Sequence, residues 1–115
     1  MPALITVAET LEYIRCAEKL LSPADRVEVV EYLAANPRAG DLMQGTGGVR
    51  KLRWARAGRG KSGGVRVIYY FHSDVMPLYL LTVFGKNERS NLSKAERNGL
   101  AGLIRMFKEI VEKRR

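Results

Sequence analysis

The chain has 115 residues and is therefore expected to form one domain spanning residues 1–115. Hydrophobic residues make up 46% of it and charged residues 28%, a composition that can bury a core and excludes a wholly disordered chain. The net charge of +8 favours a polyanionic partner, and the lack of any apolar run near the roughly 20 residues of a transmembrane helix predicts a cytoplasmic protein without membrane contact.

A short strand and two helices are predicted in the first third of the chain. Residues 4–7 are typical of a strand, and residues 8–21 of a helix. Residues 22–25 (SPAD) then supply an N-cap, a proline at the first helical position and an acid at the positive helix end. The second helix is expected to stop at Asn36-Pro37, and residues 37–48, with four glycines, to form a loop.

Three strands are predicted next, over residues 49–56, 65–71 and 78–84. The connections between them are too short to hold helices, which favours an antiparallel meander. In the first of these strands Leu52 and Trp54 alternate with Lys51 and Arg53. This alternation predicts one apolar and one basic face, and aromatic residues at strand spacing, Trp54 and Tyr69, are expected in the core.

A last helix is predicted to open at a capping box, residues 93–96 (SKAE). Its buried stripe is expected to contain Leu100, Leu103 or Ile104, Phe107 and Ile110. A meander sheet of about four strands, with two N-terminal helices and one C-terminal helix, makes an α+β domain.

The positive charge is concentrated in one stretch of the chain. Between residues 42 and 73 there is no acidic residue, and there are seven basic ones: Arg50, Lys51, Arg53, Arg56, Arg59, Lys61 and Arg66. Apolar residues interleave with these cations, so the charge is predicted to lie on a β-sheet and not on a disordered tail.

The chain has one cysteine, Cys16, and one histidine, His72. One thiol cannot form an internal disulfide, and a single His and a single Cys do not make a metal site. Cys16 is therefore expected to be a small buried or half-buried hydrophobe. No metal and no other cofactor is expected.

Three ordered blocks in this small basic domain carry a family resemblance: residues 44–51 (QGTGGVRK), 63–70 (GGVRVIYY) and 81–90 (LTVFGKNERS). Together they resemble the RelE superfamily of toxin-antitoxin toxins, with the HigB branch closest. The resemblance implies a RelE-like fold and a ribosome-dependent endoribonuclease that cuts messenger RNA at the ribosomal A site. It also implies a cognate, HigA-like antitoxin that silences the toxin.

RNA cleavage without metal requires that the 2′-hydroxyl lose a proton and attack the adjacent phosphorus. The site must then stabilise a phosphorane and protonate the leaving 5′-oxygen. A histidine pair cannot do this here, because His72 is the only histidine and is predicted at a hairpin tip. The resemblance implies that lysines and arginines take its place.

Carried onto this sequence, the family pattern implies these catalytic positions: Lys51, Arg53, Arg66, Lys86, Asn87 and Arg89. Arg66 is assigned to clamp the phosphorane, since a guanidinium can hold two non-bridging oxygens. Lys51 or Lys86 could carry the proton, with Glu88 as an alternative base. General contacts to RNA or ribosome phosphates are predicted at Arg50, Arg56, Arg59 and Lys61.

The sequence departs from the best-known RelE pattern at two places. Asn87 stands where that pattern has an arginine, and residues 90–93 contain no tyrosine to supply an aromatic hydroxyl. Two alternatives therefore stay open: a ParE-like toxin that acts on DNA gyrase, and a module that binds RNA or the ribosome without catalysis. The cations at Lys51, Arg53, Arg66 and Lys86 argue against the first, whereas the missing hydroxyl favours the second.

Overall fold

The structure, a computed structural model, describes residues 4–56, 64–86, 88 and 91–113. Its elements, in chain order, are β1 (Val7–Glu9), α1 (Leu11–Leu20), α2 (Pro23–Ala35), β2 (Asp41–Leu42), β3 (Val49–Trp54), β4 (Val65–Tyr70), β5 (Leu78–Gly85) and α3 (Lys94–Lys113). The predicted α+β class is confirmed, with two N-terminal helices and one C-terminal helix. Within the described residues, no helix has both the length and the apolar character that crossing a membrane requires.

The strands form one sheet in the order β1-β5-β4-β3-β2. The antiparallel meander of β3, β4 and β5 is confirmed. The sheet nevertheless has five strands instead of about four, and β1 pairs with β5 in parallel, with Val7 beside Leu78. The additional strand is β2, which lies within residues 37–48, predicted as a loop. β1 and β2 both lie at the edges of the sheet and are only two or three residues long, which leaves little local sequence signal for their pairing.

The start of α1 differs from the prediction because Thr10 caps it. The Thr10 hydroxyl accepts a hydrogen bond from the backbone N–H of Tyr13, which makes Leu11 the first helical residue. The same hydroxyl donates to the Leu80 carbonyl at 2.8 Å and so ties the helix start to β5. The first strand correspondingly lies at Val7–Glu9, later than the predicted residues 4–7.

The other helix starts follow the predicted caps. Ser22 accepts from the Asp25 N–H at 3.1 Å, with Pro23 at the first helical position. Ser93 and Glu96 form the predicted capping box, in which each side chain accepts a hydrogen bond from the other residue's backbone N–H.

Apolar side chains cover both faces of the sheet. Along β4, Val67 and Tyr69 belong to a cluster under α1 and α2, whereas Ile68 and Tyr70 belong to a cluster under α3. Leu52 lies in the first cluster, and the half-buried Trp54 and Cys16 pack against it.

The apolar stripe of α3 is narrower than predicted. Ile104, and not Leu103, is the buried residue of that turn, and Leu100 and Phe107 pack beside it against the second cluster. Ile110 is 50% exposed, so its predicted burial is wrong. Ile104, near the middle of α3, is the one fully buried side chain of the helix as described.

The loop before β2 is held by the buried Tyr69. Its hydroxyl donates to the Pro37 carbonyl at 2.9 Å and accepts from the Gly40 N–H at 2.8 Å. A Cβ at Gly40 would lie 2.9 Å from the Tyr69 ring and 3.0 Å from the Lys51 carbonyl oxygen, so this close approach requires glycine. Burial raises the pKa of Tyr69, which keeps its hydroxyl protonated and able to donate.

We predict that Tyr69→Phe lowers the free energy of unfolding by roughly 1 to 3 kcal/mol, because it leaves the buried Gly40 N–H and the part-buried Pro37 carbonyl without their partner. Tyr70→Phe is the matched control, since the Tyr70 hydroxyl is buried and has no hydrogen-bond partner among the described residues. Tyr70→Phe should leave the free energy of unfolding unchanged or raise it. Urea unfolding of both variants tests the prediction, and an equal decrease in the free energy of unfolding in the two variants would contradict it.

Candidate functional site

The register of β3, β4 and β5 brings three of the predicted cations onto one face of the sheet. Arg53 lies directly opposite Arg66, and Arg66 lies opposite Phe84 of the second cluster. Residues opposed in this way have Cβ atoms roughly 4.5–5.5 Å apart. Lys51 is two residues from Arg53 along β3 and therefore projects from the same face.

These cations form no ion pair with a carboxylate within the described part of the chain, although Asp41 lies opposite Lys51 in the register of β2 and β3. The ion pairs found there join Arg15 to Glu12 and Arg26 to Glu9, at the N-terminal helices. Among the described residues, the Arg66 side chain donates only to the carbonyl of its neighbour Val65, at 3.5 Å. Two like charges opposite each other destabilise a sheet, and an anion bound between Arg53 and Arg66 would offset that cost.

Lys86 stands at the end of the neighbouring strand, beside the start of β4. Its backbone N–H donates to the Gly64 carbonyl at 3.0 Å, and its side chain is exposed. Glu88 holds the turn that follows, since its carboxylate accepts from the Gly85 N–H at 3.0 Å. The positions of Asn87 and Arg89 lie outside the described residues.

The predicted general phosphate contacts are not on this face where the structure describes them. Arg50 lies on the opposite face of β3 and donates to the Gly40 carbonyl at 2.7 Å and the Arg38 carbonyl at 3.2 Å. Arg56 donates to the carbonyl of Leu20 at the end of α1, at 3.2 Å. Arg59 and Lys61 lie outside the described residues.

The tyrosines of the face lie far from Arg66. Tyr70 pairs with Tyr79 and is four residues from Arg66 along β4, which corresponds to roughly 13 Å. Burial raises the pKa of Tyr70, so it stays protonated at neutral pH. His72 follows Tyr70 at the same end, half-buried beside Ser73. None of these three side chains is placed to act beside Arg66.

Sequence reasoning missed one cation that the structure adds to the group, Arg97 of α3. Arg97 lines a shallow concavity with Lys51 and Arg53 at the outer end of the cationic face. A signal was present in the sequence, because Arg97 precedes Leu100 by three residues and Ile104 by seven. That spacing puts it on the stripe that faces the sheet.

The two faces of β3 give a matched pair of variants. We predict that Arg53→Ala weakens binding of a short single-stranded RNA and reduces the salt dependence of that binding by about 0.7 in the log–log slope, the value for one phosphate contact. Arg53 is exposed, so the melting temperature should not fall.

Arg50→Ala is the control. It removes two hydrogen bonds to backbone carbonyls, so we expect a lower melting temperature and an unchanged salt slope of RNA binding. Fluorescence anisotropy at several salt concentrations and thermal melts measure both effects. An equal loss of slope in the two variants would show that the binding surface is not confined to the Arg53 face.

Two comparisons with known proteins agree with this architecture. A family model described as "RelE toxin of RelE / RelB toxin-antitoxin system" matches residues 8–114. A solved structure of the E. coli toxin RelE in the free state, carrying two arginine-to-alanine substitutions, superimposes with a TM-score of 0.54 at 13% identity. The superposition covers 74% of this chain and 86% of the RelE chain, and it supports a common fold.

Proposed function

Because this chain belongs to the RelE toxin family, we propose that it is a ribosome-dependent, metal-independent endoribonuclease that cleaves messenger RNA and stops translation until an antitoxin neutralises it. The observation that carries the proposal is the shared face of Lys51, Arg53 and Arg66, which forms no ion pair with a carboxylate among the described residues. The family match does not separate branches, so the HigB assignment and a HigA-like antitoxin stay predictions.

In the proposed reaction the 2′-oxygen of one nucleotide forms a bond to the adjacent phosphorus, and the bond from phosphorus to the 5′-oxygen breaks. The products are a 2′,3′-cyclic phosphate and a 5′-hydroxyl. Charge accumulates on the non-bridging oxygens of the phosphorane. Arg66 clamps these oxygens, and Arg53, directly opposite it, adds a second guanidinium within reach of the same phosphate.

Proton transfer is assigned to the lysines. Lys51 lies on the face of Arg53, and Lys86 emerges beside the start of β4, so either can approach a phosphate held by Arg66. Glu88 already accepts a backbone hydrogen bond in its turn, which favours a lysine as the proton carrier. Asn87 and Arg89 complete the proposed catalytic set. Arg59 and Lys61 are proposed to make general contacts to RNA or the ribosome.

The cationic face also distinguishes this proposal from the alternatives. A gyrase-directed toxin of the same fold has no need of an unneutralised arginine pair on the sheet, so that pair favours RNA as the target. A binding module without catalysis is supported by the lack of a tyrosine in residues 90–93. Cleavage of messenger RNA by the protein would distinguish the nuclease toxin from such a binding module.

We predict that Arg66→Ala and Lys86→Ala each abolish growth arrest and reduce cleavage of a ribosome-bound message on the order of 100- to 1,000-fold, the effect of removing one contact to a charged transition state. Lys86 is exposed and Arg66 half-buried, so both variants should fold. Arg15→Ala, which alters an exposed arginine on α1, is the control and should cleave normally. Near-normal cleavage by both site variants would refute the site.

Ribosome dependence has its own test. Mapping of messenger RNA 5′ ends after induction should show new ends in translated messages, and these ends should disappear when translation initiation is blocked. The purified protein should leave the same message intact in the absence of ribosomes. Cleavage of free message at the same positions would contradict ribosome dependence but would still support the proposed nuclease activity.

The antitoxin is expected to be encoded beside the toxin and to bind the basic surface or make the complex too bulky for the ribosome. Coexpression with the adjacent open reading frame should therefore restore growth and yield a complex that copurifies. Growth arrest that persists although a stable complex forms would show that this partner is not the inhibitor.

A further inference from the structure

Arg97 occupies an unusual position on α3. The residues that follow it on the same stripe, Leu100, Ile104 and Phe107, pack against the second cluster of the core. A fourth apolar residue would continue this packing at position 97. The chain has a half-buried guanidinium there instead.

The hydrogen-bonding capacity of Arg97 is not used within the described residues. Its Nε atom is buried and has no acceptor, and no carboxylate lies within ion-pair distance of the side chain. Buried polar groups are normally hydrogen-bonded. Arg97 therefore has hydrogen-bond donors that an anion from outside the chain can accept from.

The concavity that Arg97 lines has the composition of an anion site. Three cations face it, Lys51 and Arg53 from β3 and Arg97 from α3, together with the amide side chains of Gln44 and Asn91. Asp41 is the one carboxylate among its described lining residues. The local charge is therefore strongly positive, and the amides add neutral hydrogen-bond donors.

We propose that Arg97, Lys51 and Arg53 form a subsite for a phosphate of the RNA chain next to the phosphate that is cleaved. This inference rests on the proposed function. The subsite is continuous with the reaction site, because Arg53 belongs to the concavity and also lies opposite Arg66. Arg97 is a substrate-binding residue in this arrangement and does not contact the reacting atoms.

Asp41 offers a second substitution, whose expected effect on RNA binding is opposite to that of Arg97→Ala. It pairs with Lys51 in the register of β2 and β3 and is exposed. Its carboxylate repels an entering phosphate, so its removal should strengthen binding while removal of Arg97 weakens it. Two substitutions with opposite expected effects are not explained by a general loss of folding.

The test uses fluorescence anisotropy of a labelled single-stranded RNA with the full chain and no ribosome. Arg97→Ala should weaken binding about tenfold and lower the salt slope by about 0.7. Asp41→Asn should tighten binding, and Arg97→Lys should keep the slope but lose part of the affinity, since it retains the charge without the planar fork. Arg105→Ala, at an exposed position of the same helix, should change nothing.

Cleavage on the ribosome supplies a second readout. Arg97→Ala should raise KM and leave kcat unchanged, in contrast to Arg66→Ala, which should lower kcat. Because RNA binding is measured without cleavage, the subsite can hold even where the nuclease proposal fails, and the nuclease can hold without the subsite.

Three results would overturn the subsite. One is an Arg97→Ala variant that binds RNA like Arg105→Ala. The second is an Asp41→Asn variant with unchanged or weaker binding, which decides the question even where the Arg97 variants do not fold. The third is a loss of antitoxin binding with intact RNA binding in Arg97→Ala, which would assign the concavity to acidic side chains of a protein partner.

Discussion

The antiparallel register of β3 on β4 is the constraint on which the candidate site depends. Side chains alternate along a strand, so a shift of one residue would move Lys51 and Arg53 to the face of α1 and α2 and separate them from Arg66. Core packing opposes such a shift. Val49 and Leu52 are buried on opposite faces of β3, and a slipped strand would take each of them out of its own cluster and put Lys51 and Arg53 among the apolar side chains under α1 and α2. The apolar residues of the strand thereby fix the place of the charged ones.

The turn before β3 determines where that register begins. Gly47 and Gly48 have backbone φ angles of +79° and +125°, which residues other than glycine rarely adopt. Between them and β2, the buried Thr46 donates to the Met43 carbonyl at 2.7 Å and accepts from the Val49 N–H at 3.1 Å. The glycine-rich block of residues 44–48 is thus explained by backbone geometry. It sets the start of the strand that carries Lys51 and Arg53.

The sequence was informative wherever a signal was local. The caps at Ser22 and Ser93, the meander and the alternation of β3 all depend on neighbours within a few residues, and the structure has each of them. The parallel pairing of Val7 with Leu78 depends on residues far apart in the chain and was not visible. The same holds for Arg50, whose two carbonyl partners lie in a different loop. A count of basic residues does not distinguish an arginine that is hydrogen-bonded to backbone carbonyls from the exposed Arg53.

The limited anchoring of α3 has a consequence for the population of binding-competent molecules. Ile104 is the one fully buried side chain in the described part of the helix, with Leu100 and Phe107 partly buried beside it, whereas β4 and β5 are buried along most of their length. A helix held in this way opens locally at a lower free energy than the whole domain unfolds. Each opening removes Arg97 from β3 and leaves Lys51 and Arg53 in place. The apparent affinity of the concavity for an anion is then the intrinsic affinity multiplied by the fraction of molecules with the helix docked, so a bound anion and a docked α3 stabilise each other.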